Sequence, residues 1–177
     1  MKSLITTLRV TLLVTPPLLF FFLCAVEPLT EAREMQGRLG LGYNSEFSNL
    51  SSGTSQKLPG VSIKYGLTRD IAIEGILAVQ TTNPGNSVTA VKFFKNLFYE
   101  QNLNFYFMIG GGTISPTTSS GTGAEFIGGF GAEFFIPGIE SLGFSVETGA
   151  TFDNTSGTFV LRTLGVGFLD AGIHFYF

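Results

Sequence analysis

The chain has 177 residues, of which 44% are hydrophobic, 14% aromatic and only 13% charged, with 23 Gly, 19 Phe and no Trp. Average proteins carry about twice that share of charged residues, so a disordered chain or an acidic tail is excluded. A formal net charge of −3 offers no attraction for nucleic acid, which is therefore not expected as a partner. A single Cys and a single His exclude a disulfide framework and most metal sites. We expect no metal and no cofactor.

The N-terminal segment has the layout of a secretory signal peptide. Basic residues precede an apolar run whose dense part, residues 18–26, is nine residues long. A transmembrane helix needs about 20 apolar residues, so an uncleaved anchor is the weaker alternative. Lipid attachment at Cys24 is disfavoured. Bacterial lipoprotein signals have a small residue directly before the cysteine, whereas Leu23 occupies that position here. We predict a signal peptide over residues 1–32, cleaved near residue 25 or 32.

Residues 33–177 alternate apolar and polar side chains with a period of two and never sustain a helical pattern. Turn residues divide this region into short segments, with tight turns and long polar loops in alternation, as is typical of outer-membrane barrels. We predict one barrel domain with eight strands, at Arg38–Phe47, Gly60–Leu67, Ile71–Thr81, Val88–Phe98, Leu103–Ile114, Gly123–Ile136, Leu142–Asp153 and Thr163–Phe177.

The two faces of each predicted strand differ in kind. One face carries large apolar residues, such as Val61, Ile63 and Tyr65, whereas the other carries Gly, polar and charged residues. An eight-stranded barrel is only just wide enough inside for its own side chains, so the sixteen Phe beyond the signal peptide cannot all point inward. In a membrane barrel the apolar face meets lipid. The sequence therefore predicts an all-β fold, an eight-stranded antiparallel up-and-down transmembrane β-barrel.

The scarce charges fall mostly on the predicted lumen face. A lone charge is costly in a narrow interior of low dielectric constant, so we expect these residues to pair across strands and plug the lumen. Lys95 has the opposite parity to Lys92 and lies near a turn, where it can reach the rim. The predicted lumen network comprises Arg38, Glu46, Lys64, Glu74, Lys92, Glu125, Glu133, Glu147, Asp170 and His174. Within it, we expect His174 beside Asp170 to be a polar contact.

The last residues carry the most specific motif. Asp170, Gly172, Phe175 and Phe177 follow the pattern polar, any, Gly, any, any, aromatic, any, aromatic. This resembles the C-terminal assembly signature of bacterial outer-membrane β-barrel proteins, and the chain resembles the superfamily of small eight-stranded barrels without matching a particular member. The resemblance implies that the barrel-assembly machinery recognises the last strand. We expect a monomer in outer-membrane lipid, with periplasmic termini and extracellular long loops.

The leading functional hypothesis is a structural or surface-interaction role with a polar, plugged lumen and no enzymatic activity. A narrow channel for small or hydrophobic solutes is the alternative, and the excess of lumen carboxylates favours cations. An enzyme that modifies outer-leaflet lipid is the least supported reading. Lipid A deacylases are similar in barrel size but have a His-x-Ser pair, whereas Phe175 and Tyr176 follow His174 here. Lipid A palmitoyltransferases need a His on the surface side, whereas the single His of this chain, His174, lies in its last predicted strand. No catalytic residue is predicted.

Overall fold

The structure, a computed structural model, describes residues 34–44, 48–51, 54–57, 60–81, 85–116, 122–154, 158–164 and 170–177. The predicted signal peptide and Glu46 lie outside the described residues. No helix within these ranges has both the length and the hydropathy to cross a membrane. The strands are β1 (Leu39–Asn44), β2 (Ser48–Ser51), β3 (Thr54–Lys57), β4 (Gly60–Gly66), β5 (Ile71–Gln80), β6 (Asn86–Glu100), β7 (Leu103–Pro116), β8 (Gly123–Ile136), β9 (Ile139–Asp153), β10 (Val160–Thr163) and β11 (Asp170–Tyr176).

Eight of these strands close into an antiparallel barrel in the order β1–β4–β5–β6–β7–β8–β9–β11. β11 returns to pair with β1, with Gly40 opposite Tyr176 and Asn44 opposite Gly172, so the sheet has no free edge along this seam. β10 continues the last wall and pairs with the far part of β9, where Val160 lies opposite Asp153. The predicted antiparallel up-and-down barrel is confirmed.

Three details differ from the sequence prediction. The turn before β9 is the pair Pro137–Gly138, shorter than predicted, because Gly138 adopts a φ of 87° that closes a two-residue hairpin. The predicted last strand is divided into β10 and β11. The polar loop after β1 contains a small hairpin, β2–β3, rather than irregular backbone only.

The connections sort onto the two ends of the barrel. Short turns at residues 67–70, 101–102 and 137–138 share one end, which we call the turn end. The longer connections, including the β2–β3 hairpin and β10, belong to the other end, the loop end. The described termini join the turn end, where the Phe177 backbone N–H donates to the Leu39 carbonyl and that of Gly37 to Gly66.

The side chains follow the predicted parity, with large apolar residues outside and charged residues inside. Val79 is 72% exposed on β5, whereas Glu74 on the same strand is 1% exposed. This distribution is the reverse of that in a soluble protein and is typical of a barrel that spans a membrane. Further exposed apolar residues include Leu41, Val61, Ile63, Leu77, Phe93, Ile109, Phe126, Phe130, Phe134, Phe152 and Phe175.

The interior has an apolar layer that the sequence analysis did not predict, since only small and polar residues were expected there. Met108 is fully buried and contacts a cluster that extends to Leu164, just beyond β10. These side chains pack with one another because the small residues of β5 and β6, such as Ala78 and Ala90, leave them room. Other members of the cluster are Ala72, Ile76, Val88, Phe94, Tyr106, Ile114 and Ile127.

Glycine allows one especially close approach between strands. Gly129 on β8 and Gly149 on β9 lie opposite each other and both belong to the inward-facing set. A Cβ on Gly149 would lie against the Gly128 carbonyl and the Gly129 Cα, inside van der Waals contact with backbone that cannot rotate away. Only glycine therefore fits this crossing without moving the strand pair.

Gly149→Ala should destabilise the barrel by about 1–3 kcal/mol, the usual cost of forcing extra atoms into a packed interior. The measurement is a urea titration of the refolded protein, read by gel mobility without boiling. Gly75→Ala is the matched control, because a Cβ at Gly75 meets nothing within 4 Å. Equal unfolding midpoints for the two variants would show that the Gly129–Gly149 approach is not a constraint.

Candidate functional site in the barrel lumen

Lys92 on β6 is at the centre of a buried charge network. Its Nζ lies 3.4 Å from Glu74 Oε2, on the neighbouring strand, and 2.9 Å from Glu147 Oε2 on β9. The Tyr106 hydroxyl donates a 2.5 Å hydrogen bond to the other Glu147 oxygen. The Lys92 side chain has no solvent-exposed area. Because β6 and β9 are separated by two strands in the wall, the Lys92–Glu147 bond runs through the lumen.

A second bridge crosses the barrel between opposite walls. Lys64 on β4 donates to Glu133 Oε2 on β8 at 3.0 Å, and β4 and β8 lie four strands apart in the closed order. The Tyr176 hydroxyl donates to Glu133 Oε1 at 2.5 Å. The Lys64 ammonium also lies 4.4 Å from the centroid of the Phe94 ring, a cation–π contact. Both oxygens of Glu133 are therefore engaged.

His174 on β11 lies between these two bridges. Its Nε2 is 3.0 Å from Glu74 Oε1 and 2.8 Å from Ser62 Oγ, while its Nδ1 is 3.9 Å from Glu133 Oε1. Its partners thus lie on other strands, β4, β5 and β8, rather than at Asp170 on its own strand as the sequence predicted. The arrangement differs from a Ser-His-acid triad, in which the acid binds Nδ1.

The structure buries eight of the predicted network residues, and Lys64, Glu74, Lys92, Glu133, Glu147 and His174 form the contacts above. Arg38 is half-buried at the turn end, before β1 begins. Glu125 and Asp170 are buried nearer the loop end. Tyr106 and Tyr176 also have lumen parity, and their hydroxyls complete the network, which was predicted from charged residues and His174 alone.

Carboxylates gather on the β8–β9–β11 side of the lumen. Glu125 lies opposite Asp153 across β8 and β9, and Glu147 lies opposite Asp170 across β9 and β11. Asp153, which the predicted network omitted, is 1% exposed and forms an ion pair with Arg162 on β10. No group of three or more His, Cys, Asp and Glu within the described ranges is arranged to hold a metal ion.

Little open space remains beside the network at the turn end. The cavity there has a volume of about 10 Å³ and is bordered by Lys64, Phe94, Glu133 and Tyr176. That volume is about what one water molecule occupies. Side chains therefore fill this level of the lumen.

A separate polar cluster lies outside the lumen, on the turn-end rim. Lys95 donates a 2.7 Å hydrogen bond to Asp70 in the β4–β5 turn, and the Tyr99 hydroxyl donates to the other oxygen of Asp70 at 2.6 Å. These two bonds, that of Lys95 first, lower the pKa of Asp70. Burial and the bond to Asp70 raise the pKa of Tyr99. Lys95 thus reaches the rim, while Lys92 points inward.

No known family model matches this chain, and no curated protein matches it. The fold is similar to the N-terminal β-barrel domain of Pseudomonas aeruginosa OprF, at 14% identity over 80% of this chain and 98% of that one, with a TM-score of 0.49. It is also similar to the Yersinia pestis outer membrane protein Ail in a phospholipid bilayer nanodisc, at 13% identity over 79% and 100%, with a TM-score of 0.43. The small eight-stranded barrel predicted from the sequence is present in the strand order of the structure itself.

Lys92→Met should destabilise the barrel by about 3–5 kcal/mol, because it leaves the buried carboxylates of Glu74 and Glu147 without their cation. The measurement is the urea midpoint of the protein refolded in lipid vesicles. Lys95→Met, on the same strand, is the control, since its ion pair with Asp70 is exposed and should change the midpoint little. A similar small effect of both substitutions would contradict the central position of Lys92.

Proposed function

We propose that this chain is an integral outer-membrane barrel with a structural or surface-interaction role, in which side chains plug the lumen and the loop end faces the exterior. The observation that carries the proposal is the set of ion pairs that cross the lumen, Lys64–Glu133 and Lys92–Glu147, within an apolar outer wall. No enzymatic activity is part of the proposal.

The outer wall supports residence in a membrane. On β5 the outward residues from Ile71 to Val79 cover eight residue steps, about 26 Å along the strand. With the tilt typical of such barrels, about 20 Å of this lies along the membrane normal, close to an apolar band about 25 Å tall. Large apolar residues on the other strands continue the band around the barrel. Water would be a poor solvent for this surface.

The lumen contacts support a plug. Lys92 and Glu147 connect β6 with β9, and Lys64 connects β4 with β8, so the bridges run in different directions across the same narrow bore. Opening a path between them would leave a buried charge unpaired, which is costly at low dielectric constant. The barrel is therefore proposed to be a closed scaffold that positions its loops.

Orientation and assembly belong to the same proposal. The turn end would face the periplasm together with the described termini, and the barrel-assembly machinery would recognise the last strand. Phe175 and Phe177 are 45% and 68% exposed, so they are accessible to such a partner. Because the barrel closes within one chain, a monomer is the proposed state.

A narrow cation channel is the second candidate, and one observation favours it. Glu125 lies opposite Asp153 and Glu147 opposite Asp170, so this part of the lumen holds four carboxylates beside two cations, Arg162 and Lys92, and is acidic in sum. An acidic lumen would attract cations and repel anions. The candidate requires that the ion pairs nearer the turn end open.

Planar-bilayer recording tests the plug against the channel. The purified protein should give a flat current at all voltages, because the ion pairs close the lumen. A variant with Lys64, Lys92, Glu133 and Glu147 all changed to Ser should conduct, whereas Asp70→Ser with Lys95→Ser, on the rim, should stay silent. Cation-selective steps from the unmodified protein would refute the plug and establish the channel.

Gel mobility without boiling shows whether each of these proteins has folded before it is recorded. A folded barrel migrates differently from the heated chain. If the unmodified protein migrates identically before and after heating, and fails to remain with lipid vesicles on flotation, the membrane-barrel proposal itself is wrong.

Removal of Phe177 tests the assembly partner. We expect a severalfold loss of folded protein in the outer membrane of producing cells, because the terminal aromatic of the assembly signature is missing. Refolding of the same variant from urea into lipid vesicles should be nearly unchanged, since Phe177 follows the last residue of β11. Phe152→Ala, another outward Phe, is the control. Equal loss in cells and in vesicles would indicate a stability effect and contradict recognition.

A further inference from the structure

The outer wall has a groove of about 460 Å³ across β4, β5 and β6. Its sides are formed by Val61, Ile63, Tyr65, Ile73, Leu77 and Val91. Gly75 lies between Ile63 and Val91 in the strand register, and a Cβ there would meet nothing within 4 Å. The groove exists because one large side chain is missing from an otherwise continuous apolar row.

The walls of the groove are aliphatic, unlike the neighbouring wall formed by the turn-end part of β6 with β7 and β8. β1, β4 and β5 contain no Phe. In the neighbouring wall the rings contact one another, with Phe98 and Phe105 stacked at 4.6 Å and Phe107 and Phe130 edge-to-face at 5.4 Å. An aliphatic groove with one tyrosine and one threonine at its edges suits a hydrocarbon chain better than a polar group.

Cationic residues lie on the rim beyond the turn-end side of the groove. On the outward face of β5, Ile71 is the next residue from Ile73 towards the turn end, and it lies opposite Lys95. Lys95 forms an ion pair with Asp70. The neighbouring Arg69 is exposed, and its guanidinium lies 5.3 Å from the centroid of the Tyr99 ring. No carboxylate among the described residues is recorded within ion-pair distance of this guanidinium, although Asp70 is close enough to interact with it electrostatically.

Gly75 lies within one lipid leaflet of the turn that holds Arg69. Arg69 belongs to the turn at residues 67–70, and Gly75 is four residues beyond Ile71, where β5 begins, about 13 Å along the strand. With the strand tilt typical of membrane barrels, this becomes about 10 Å along the normal. Half of a bilayer's hydrocarbon core is about 15 Å. An acyl chain that starts from a phosphate at the rim would therefore pass the space left by Gly75.

We propose that this groove binds an acyl chain of an anionic glycerophospholipid from the turn-end leaflet, with Arg69 at its phosphate. Arg is suited to this contact because its guanidinium can bind a phosphate through two parallel hydrogen bonds. The inference rests on the proposed function, since the groove meets lipid only if the barrel spans a membrane. The Lys95–Asp70 pair flanks the phosphate position and contributes no net charge.

The absence of Trp from the chain permits a direct fluorescence test. Phe93→Trp places a single indole opposite Ile73, beside the groove, and Phe144→Trp places one on β9, on the other side of the barrel. Each protein is refolded into phosphatidylcholine vesicles that contain phosphatidylglycerol with brominated acyl chains, or brominated phosphatidylcholine instead. Bromine quenches the indole only at close contact.

The Phe93→Trp protein should prefer phosphatidylglycerol by about fivefold, the factor expected for one cationic side chain at an anionic headgroup. The Phe144→Trp protein should show no preference. Gly75→Leu, which fills the groove without a backbone clash, and Arg69→Gln should each reduce the preference at the first probe towards one. Arg38→Gln changes the net charge equally on the same rim and should leave the preference intact.

Equal quenching by both lipids at both probes, in protein that is folded and inserted, would overturn the lipid site while leaving the proposed function standing. So would a dimer in sedimentation that Gly75→Leu dissociates, because the groove would then hold a second copy of the chain. Failure of the unmodified protein to insert would refute the proposed function and the lipid site together.

Discussion

The compensation of charge inside a narrow bore is the constraint on which the rest of this barrel depends. Lys64 and Lys92 enter the lumen because strand parity directs them there, and a closed wall leaves them no route to water. Each therefore bonds to a carboxylate on a distant strand, Glu133 or Glu147. Removing one partner of a buried ion pair costs several kcal/mol. These bridges therefore stabilise the packing of distant strands around the lumen.

The outer and inner surfaces are linked by the same alternation. Moving a strand by one residue would place Glu74 or Glu133 on the apolar outer wall and the neighbouring apolar residues in the lumen. The cost on both faces makes the register of the sheet unambiguous. The apolar layer that includes Met108, Ile114 and Leu164 packs beside the charged network and meets it at Phe94 and Tyr106. Together the two layers leave the wall surface and the ends as the places where other molecules can act.

The structure also divides the wall by side-chain shape. Phenylalanine rings stack along β6, β7 and β8, whereas the β4–β5 side is aliphatic and is interrupted at Gly75. Rings in contact form a stiff surface, and a gap among aliphatic side chains forms a concave one. The polar rim around Asp70, Lys95 and Tyr99 fixes the turn below that gap. The two sides of the outer wall therefore differ in shape.

The sequence by itself determined the strand class, the number of barrel strands and the face of nearly every side chain, because a period of two in a closed sheet leaves each residue only two environments. It also identified most of the charges that face inward, although it omitted the buried Asp153. Only the tertiary structure decided their partners: His174 contacts Ser62 and Glu74 from other strands, and Lys64 reaches Glu133 across the bore. Parity defines a side, whereas a contact across the lumen depends on the stagger of strands far apart in sequence. The Gly75 groove was also decided only by the tertiary structure, because its walls come from three adjacent strands, β4, β5 and β6.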